Sequence, residues 1–274
     1  MLLELSVLFV IIGIVAGAIG SIVGIGGGLF FVPALLYFVN LAEPGSMSHA
    51  MATGTSLLVI IITALSSTLS FLKQKKVDTE SAWLFFIGSA PGAIAGVYLN
   101  KMLQIQSFYL LFGLFQISMF ILMLVKDKLK PRNMGWDVKR TFTDSEGVTH
   151  EYGYKRWVAI TVAFFVGVTS SLFGVGGGVL LVPMMIVLFR FPPHVATATS
   201  MFVIFLSAIV GSATNILNDN IHWVYAFVLA PGAWIGGKLG AYLAQRLKGK
   251  TIVLLLRVLI LGIAIQMISK AIWA

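Results

Sequence analysis

The chain has 274 residues, of which 58% are hydrophobic and only 11% charged, with a mean hydropathy of +0.97. A water-soluble domain is about a quarter charged, so this is an integral membrane protein; its long apolar runs do not alternate with polar residues, which excludes a membrane β-barrel. The absence of cysteine excludes thiol catalysis, disulfides and cysteine-ligated metals, and the net charge of +9 sits largely in loops between apolar runs, so it does not point to nucleic acid.

In chain order, the N-terminal stretch MLLELSVLFV lacks Lys and Arg and carries Glu4. It reads as the first span rather than a cleavable signal peptide. Apolar segments follow at about 5–22, 29–39, 50–72, 83–99 and 108–125. A polar stretch, 126–156, holds Lys126, Lys128, Lys130, Arg132, Lys139, Arg140, Lys155 and Arg156 with five acids, and reads as a solvated linker. Five more apolar segments come after it, at about 157–173, 179–189, 195–217, 223–243 and 251–269. The expected organisation is therefore a membrane repeat over 1–125, a cytoplasmic polar linker over 126–156 and a second membrane repeat over 157–274.

The two sets match in order. GIGGGLFFVP at 24–33 faces GVGGGVLLVP at 174–183. ATGTSLLVI at 52–60 faces ATATSMFVI at 196–204, and APGAIAG at 90–96 faces APGAWIG at 230–236. Three landmarks in the same order make an internal duplication. The run 157–190 would be about 51 Å long as one helix, against a hydrocarbon core of about 30 Å. The chain must break, and consecutive glycines followed by proline are where it can. If it turns back at the glycines, each half has five segments and the repeats are inverted. One face of the membrane then receives Lys73, Lys75, Lys76, the linker, Arg190, Arg246, Lys248 and Lys250, and the other only Lys101 and Lys270. Basic residues in short loops mark the cytoplasm. The expectation is an all-α protein of two inverted repeats, each of about five transmembrane or half-membrane segments broken at GxGGG, with both termini outside.

Non-helical backbone inside a membrane lines a cavity or is buried in protein, and its free N–H groups favour anions. The candidate ligand set is Gly24, Gly26, Gly27 and Gly28 with Gly174, Gly176, Gly177 and Gly178, joined by the hydroxyls at two helix starts: Thr53, Thr55 and Ser56, mirrored by Thr197, Thr199 and Ser200. For the hydroxyls the plain alternative is helix capping; Ser21 and Ser171 are weaker candidates. His49 and His194 precede these helices and could attract an anion or couple a proton. Lys238 and Arg257 lie in apolar segments near the cytoplasmic end, where they would make the mouth positive unless they simply snorkel. Gly88, Gly92 and Gly96, with Gly232, Gly236 and Gly240, read as helix-packing stripes. All acids lie at termini or in polar loops, which argues against a cation carrier and a two-carboxylate hydrolase. No HExxH or carboxylate cluster suggests a metal, and no cofactor is expected.

The doubled GxGGGxxxVP, the two TS-containing stretches and the two APGAxxG stretches resemble the TauE/SafE family of membrane permeases. The resemblance covers both halves. It implies a multi-pass protein of the cell inner membrane that exports sulfite or a small organosulfonate. Its partners would be that sulfur anion and the lipid bilayer. An alternating-access carrier is the first expectation, with an anion channel and a membrane-embedded sulfur-metabolism enzyme subunit as alternatives.

Overall fold

The structure is a computed structural model that describes residues 2–102, 105–125, 135–143, 147 and 149–273. Of the charged linker residues, Lys126, Asp127, Lys128, Lys130, Arg132, Asp144 and Glu146 lie outside the described residues. Six helices are long and apolar enough to cross a membrane. The first half contains α1 (Leu2–Val23), α2 (Gly28–Ala34), α3 (His49–Lys73), α4 (Thr79–Met102) and α5 (Ile105–Val125). A π-helical turn, Leu35–Val39, and Asn40–Ala42 prolong α2. A hairpin of β1 (Val138–Thr143) and β2 (Thr149–Tyr154) precedes the second half. That half contains α6 (Arg156–Phe173), α7 (Gly178–Leu188), α8 (Pro193–Ile216), α9 (Trp223–Ala244) and α10 (Gly249–Trp273).

Local chemistry sets the boundaries. Ser48 caps α3, its hydroxyl accepting from Met51 N at 3.2 Å, and Pro193 starts α8, where its missing N–H costs nothing. Asp78 caps α4, accepting from Ser81 N at 3.0 Å. α6 ends on Gly174 in the left-handed region, φ 67°, as α1 gives way to Gly24 at φ 81°.

The chain turns back at both glycine runs. Phe9 on α1 packs on Phe38 beyond α2, with ring centroids 6.5 Å apart. Likewise Gly153 N, just before α6, donates to Phe189 O just after α7 at 3.1 Å. Segments 29–39 and 179–189 thus return toward the side they came from.

Helices from different halves hold the bundle together. α4 runs parallel to α6, Gly88, Gly92 and Gly96 lying against the Ile160, Phe164 and Val168 carbonyls. α1 and α9 repeat this, with Gly232, Gly236 and Gly240 against the Val10, Ile14 and Ala18 carbonyls. A methyl at any of these would strike backbone, so the stripes set the interhelix distance. α3 and α8 pass each other antiparallel at the centre. Gly54, near the start of α3, lies against Asn215 and Asn220 at the end of α8; Thr199, near the start of α8, meets Asp78 beyond the end of α3. Outward faces carry Val7, Ile11 and Val15 on α1 and Leu254, Val258 and Ile265 on α10, all exposed as lipid-facing residues would be.

The second part of the linker is built rather than merely solvated. The hairpin pairs Val138 with Tyr154 through Thr143 with Thr149, and Tyr152 and Tyr154 are buried against helix ends. Tyr154 joins Phe85, Phe189 and Phe191 in an aromatic cluster with centroids 5.6 to 6.3 Å apart. Arg140 pairs with Glu80, and Arg190 stacks over Trp136 at 5.3 Å.

Candidate functional site

The two glycine breaks meet at the centre. Each run contains consecutive residues with positive φ: Gly26 at 87° and Gly27 at 89°, Gly176 at 85° and Gly177 at 72°. Side chains rarely adopt these angles. The contact between the runs is backbone on backbone. A Cβ at Gly28 would strike the Gly174 carbonyl and stand 2.7 Å from Val175 Cα. A Cβ at Gly178 would strike the Gly24 carbonyl and stand 2.6 Å from Ile25 Cα. Ile60 of α3 and Ile204 of α8 close over Gly26.

Each crossing is fastened by a hydroxyl from the opposite half. Ser56 Oγ donates to Gly174 O at 2.7 Å. Ser200 Oγ lies 2.9 Å from Gly24 O and 2.8 Å from Thr197 O, so its one proton is shared or divided between them. These four residues are thus brought together, with the serine protons turned to glycine carbonyls.

The threonines divide differently. Thr55 Oγ1 accepts from His222 N at 2.9 Å, tying α3 to the start of α9. Its mirror, Thr199 Oγ1, accepts from Asp78 N at 3.0 Å, tying α8 to the start of α4. Thr53 donates to Ala50 O at 2.9 Å within its own first turn. Thr197 Oγ1 is buried, beside Gly24, and has no hydrogen-bond partner among the described residues. Ser21 bonds Ser67, which itself lies 3.0 Å from Gly237 O. Ser171, buried beside Gly211, has no such partner.

The charged candidates are not gathered at the crossing. His49 Nε2 lies 3.3 Å from Asn100 O at the far end of α4, and His194 stands in the first turn of α8. Lys238 is exposed on the outward side of α9. Arg257 donates to Met123 O at 2.5 Å, linking α10 to α5. Among the described residues no three His, Asp or Glu side chains are grouped so as to hold a metal.

Two features escape sequence reasoning. At the hairpin end, Asp78 donates its N–H to Thr199 Oγ1 on one side and accepts from Tyr152 on the other, Tyr152 Oη donating to Asp78 Oδ2 at 3.0 Å. Burial, then the Asp78 charge, pushes the Tyr152 phenol well above its ordinary value. Burial alone lowers Lys76 in the neighbouring loop. The second feature is a pair of small cavities beside the second break, each with room for about one water and both bordered by Ser170 and Gly177. Ser170 occupies the place of Gly20 in the first half, and that lapse in the repeat is the only sequence signal that could have found it.

A family model described as "Sulfite exporter TauE/SafE" matches residues 9–267. The chain is 44% identical over 270 residues to the "Probable membrane transporter protein YunE" of Bacillus subtilis, covering 98% of this chain and 99% of that one. It is 26% identical over 254 residues to "Probable membrane transporter protein MJ0441" of Methanocaldococcus jannaschii, covering 89% and 88%. A "Sulfite exporter TauE/SafE family protein 6" of Arabidopsis thaliana is 23% identical over 176 residues, which is 64% of this chain and 38% of the plant protein. No solved structure matches.

Proposed function

The chain belongs to the TauE/SafE family of sulfite exporters, a multi-pass membrane transporter family, and from that premise we propose that it carries a small sulfur oxyanion, sulfite or an organosulfonate, out of the cytoplasm. In this reading the halves are inverted repeats. What supports it is the antiparallel passage of α3 and α8, which are equivalent helices; a two-fold axis relating antiparallel equivalents lies in the membrane plane. The hairpin end, with its basic loops, is cytoplasmic and both termini are outside, in the inner membrane. The anion enters at the positive end, is held where the glycine runs cross, and leaves when one half rocks against the other.

The observation that carries this reading is the crossing itself. Backbone that is neither helix nor sheet sits between two halves, held by one serine from each. The contact is reciprocal, so moving one half must move both fastenings, as alternating access requires. Thr197 and the glycine amides supply donors for an anion without a buried cation. Anion export from a negative interior gains about 2.3 kcal/mol per charge per 100 mV, so no coupling ion is needed; His49 and His194 remain the residues through which a proton would act.

The test is sulfite efflux from proteoliposomes under an imposed potential. We expect saturable, potential-driven flux, lost when Thr53, Ser56, Thr197 and Ser200 are all replaced by Ala. Unchanged binding and flux in that variant would overturn the site.

A further inference from the structure

The mirror between the halves fails at one place beside the breaks, and the failure leaves an unspent hydroxyl, that of Ser170, facing a cavity. In the first half Gly20 lies directly on the break: a Cβ there would collide with Gly27 and stand 2.6 Å from its Cα. In the second half the same position carries Ser170, and a Cβ at Gly177 would be 3.3 Å from Ser170 Cβ and Oγ. Ser170 is 5% exposed, and its hydroxyl makes no hydrogen bond among the described residues.

The neighbouring amides are equally idle. Ile25 N and Gly26 N in the first half both donate to Gly20 O, at 2.7 and 3.3 Å. In the second half Val175 N donates to Ser170 O at 3.1 Å and Gly178 N to Gly176 O at 2.9 Å. Gly176 N and Gly177 N donate to no oxygen among the described residues, and neither do Gly27 N and Gly28 N in the first half; what the second half adds is the hydroxyl. Buried amides without a partner are rare, and here two adjacent ones border the small cavity that Ser170 also borders. As it stands the space has room for about one water, so an oxyanion there widens the break.

The same cavity offers an acceptor. Ser89 and Ser207 face each other there, their hydroxyls 2.7 Å apart. Ser207 Oγ lies 2.8 Å from Val203 O and Ser89 Oγ 3.3 Å from Phe86 O, so either serine can supply the proton between them, and in both cases the Ser89 oxygen keeps a lone pair free. No cation borders the cavity, and burying a double negative charge without one is costly.

We propose that the second break alone holds an oxyanion subsite, with Ser170 Oγ and the Gly176 and Gly177 amides as donors and Ser89 Oγ as acceptor. It is matched to a singly charged oxyanion, best of all one that still carries an O–H. This deepens the transport reading and rests on it. The subsite selects the monoanionic form of the sulfur substrate over a dianion of similar size.

The test is calorimetric binding to the purified full chain at one mildly acidic pH, with hydrogensulfite, methanesulfonate and sulfate as probes, beside flux in proteoliposomes. Wild type is expected to bind both monoanions at least tenfold more tightly than sulfate. Ser170→Ala should weaken both monoanions by about tenfold or more, the effect of losing a hydrogen bond to a charged group. Ser89→Ala should weaken hydrogensulfite and leave methanesulfonate, which has no proton to give. Alanine suits both helices, and unchanged thermal unfolding of the variants verifies the fold. Wild-type binding and flux that Ser170→Ala leaves intact would overturn the subsite and spare the transport reading. A wild type that neither binds nor carries any of the three anions would overturn both.

Discussion

The first glycine break is packed shut and the second is not. Gly20 lies on Gly27 with no room for a methyl, and its carbonyl takes two amides of the break. Ser170 leaves space around Gly177 and brings a hydroxyl without a partner, while each break keeps two amides with no partner among the described residues, Gly27 and Gly28 in the first and Gly176 and Gly177 in the second. The serines next in sequence differ in the same sense: Ser21 is satisfied by Ser67, whereas Ser171 faces Gly211 and has no partner among the described residues. Duplication therefore supplies the architecture, in which each half fastens the other, while divergence leaves two serine hydroxyls, Ser170 and Ser171, without partners among the described residues beside the second break. A two-fold scaffold does not require a two-fold site.

The comparison can be broken most severely where the halves are alike. Gly28→Leu and Gly178→Leu each drive a side chain into the opposite half's backbone. Each should cost about 3 kcal/mol or more, with loss of the folded, monodisperse protein in detergent. If either is tolerated, the two breaks do not touch as described. Ser56→Ala and Ser200→Ala come next. Each leaves a buried glycine carbonyl without its serine donor, at about 1–3 kcal/mol, and denaturant titration should find the two penalties similar. A large inequality would show that one fastening dominates.

Smaller changes sharpen the contrast. Gly20→Ala pushes a methyl into Gly27 and should destabilise despite its gain in helix propensity, whereas Ser170→Ala should be neutral or slightly stabilising. Equal responses in thermal unfolding would remove the asymmetry. The smallest effect belongs to the hairpin, which only the junction between the halves carries. Tyr152→Phe removes the bond to Asp78, worth about 1 kcal/mol. Because the folded phenol is raised, its contribution to stability is complete below the ordinary value near pH 10 and is lost as the pH climbs above it. Trp136 emission should therefore report alkaline loosening of the hairpin in the wild type and a weaker dependence in Tyr152→Phe.

Much of the scaffold was legible because it repeats. Two GxGGG runs in apolar segments too long to cross unbroken predicted a chain that turns back, and Phe9 beside Phe38 and Gly153 beside Phe189 are that return. The small-residue stripes at Gly88 and Gly232 were legible through their four-residue period. The hairpin was not. Its six-residue strands, VKRTFT and THEYGY, are crowded with charge, and only Phe85, Phe189 and Phe191, distant in sequence, give Tyr154 a place to be buried. The site was legible in part. Pairing Ser56 with Ser200 by position was possible, yet that each would donate to the other half's glycine depends on tertiary contact alone. Thr55 and Thr199 were read as anion donors beside capping, whereas their oxygens receive amides from His222 and Asp78. Ser170 was passed over because attention to what the halves share hides what they do not.

The most direct measurement is counterflow of labelled sulfite in proteoliposomes made with the wild-type chain. A carrier whose halves rock about the crossed glycine runs must show saturating uptake that is accelerated by unlabelled sulfite on the other side. Flux that rises without limit and ignores the opposite side, or no sulfite flux at all, would contradict the account.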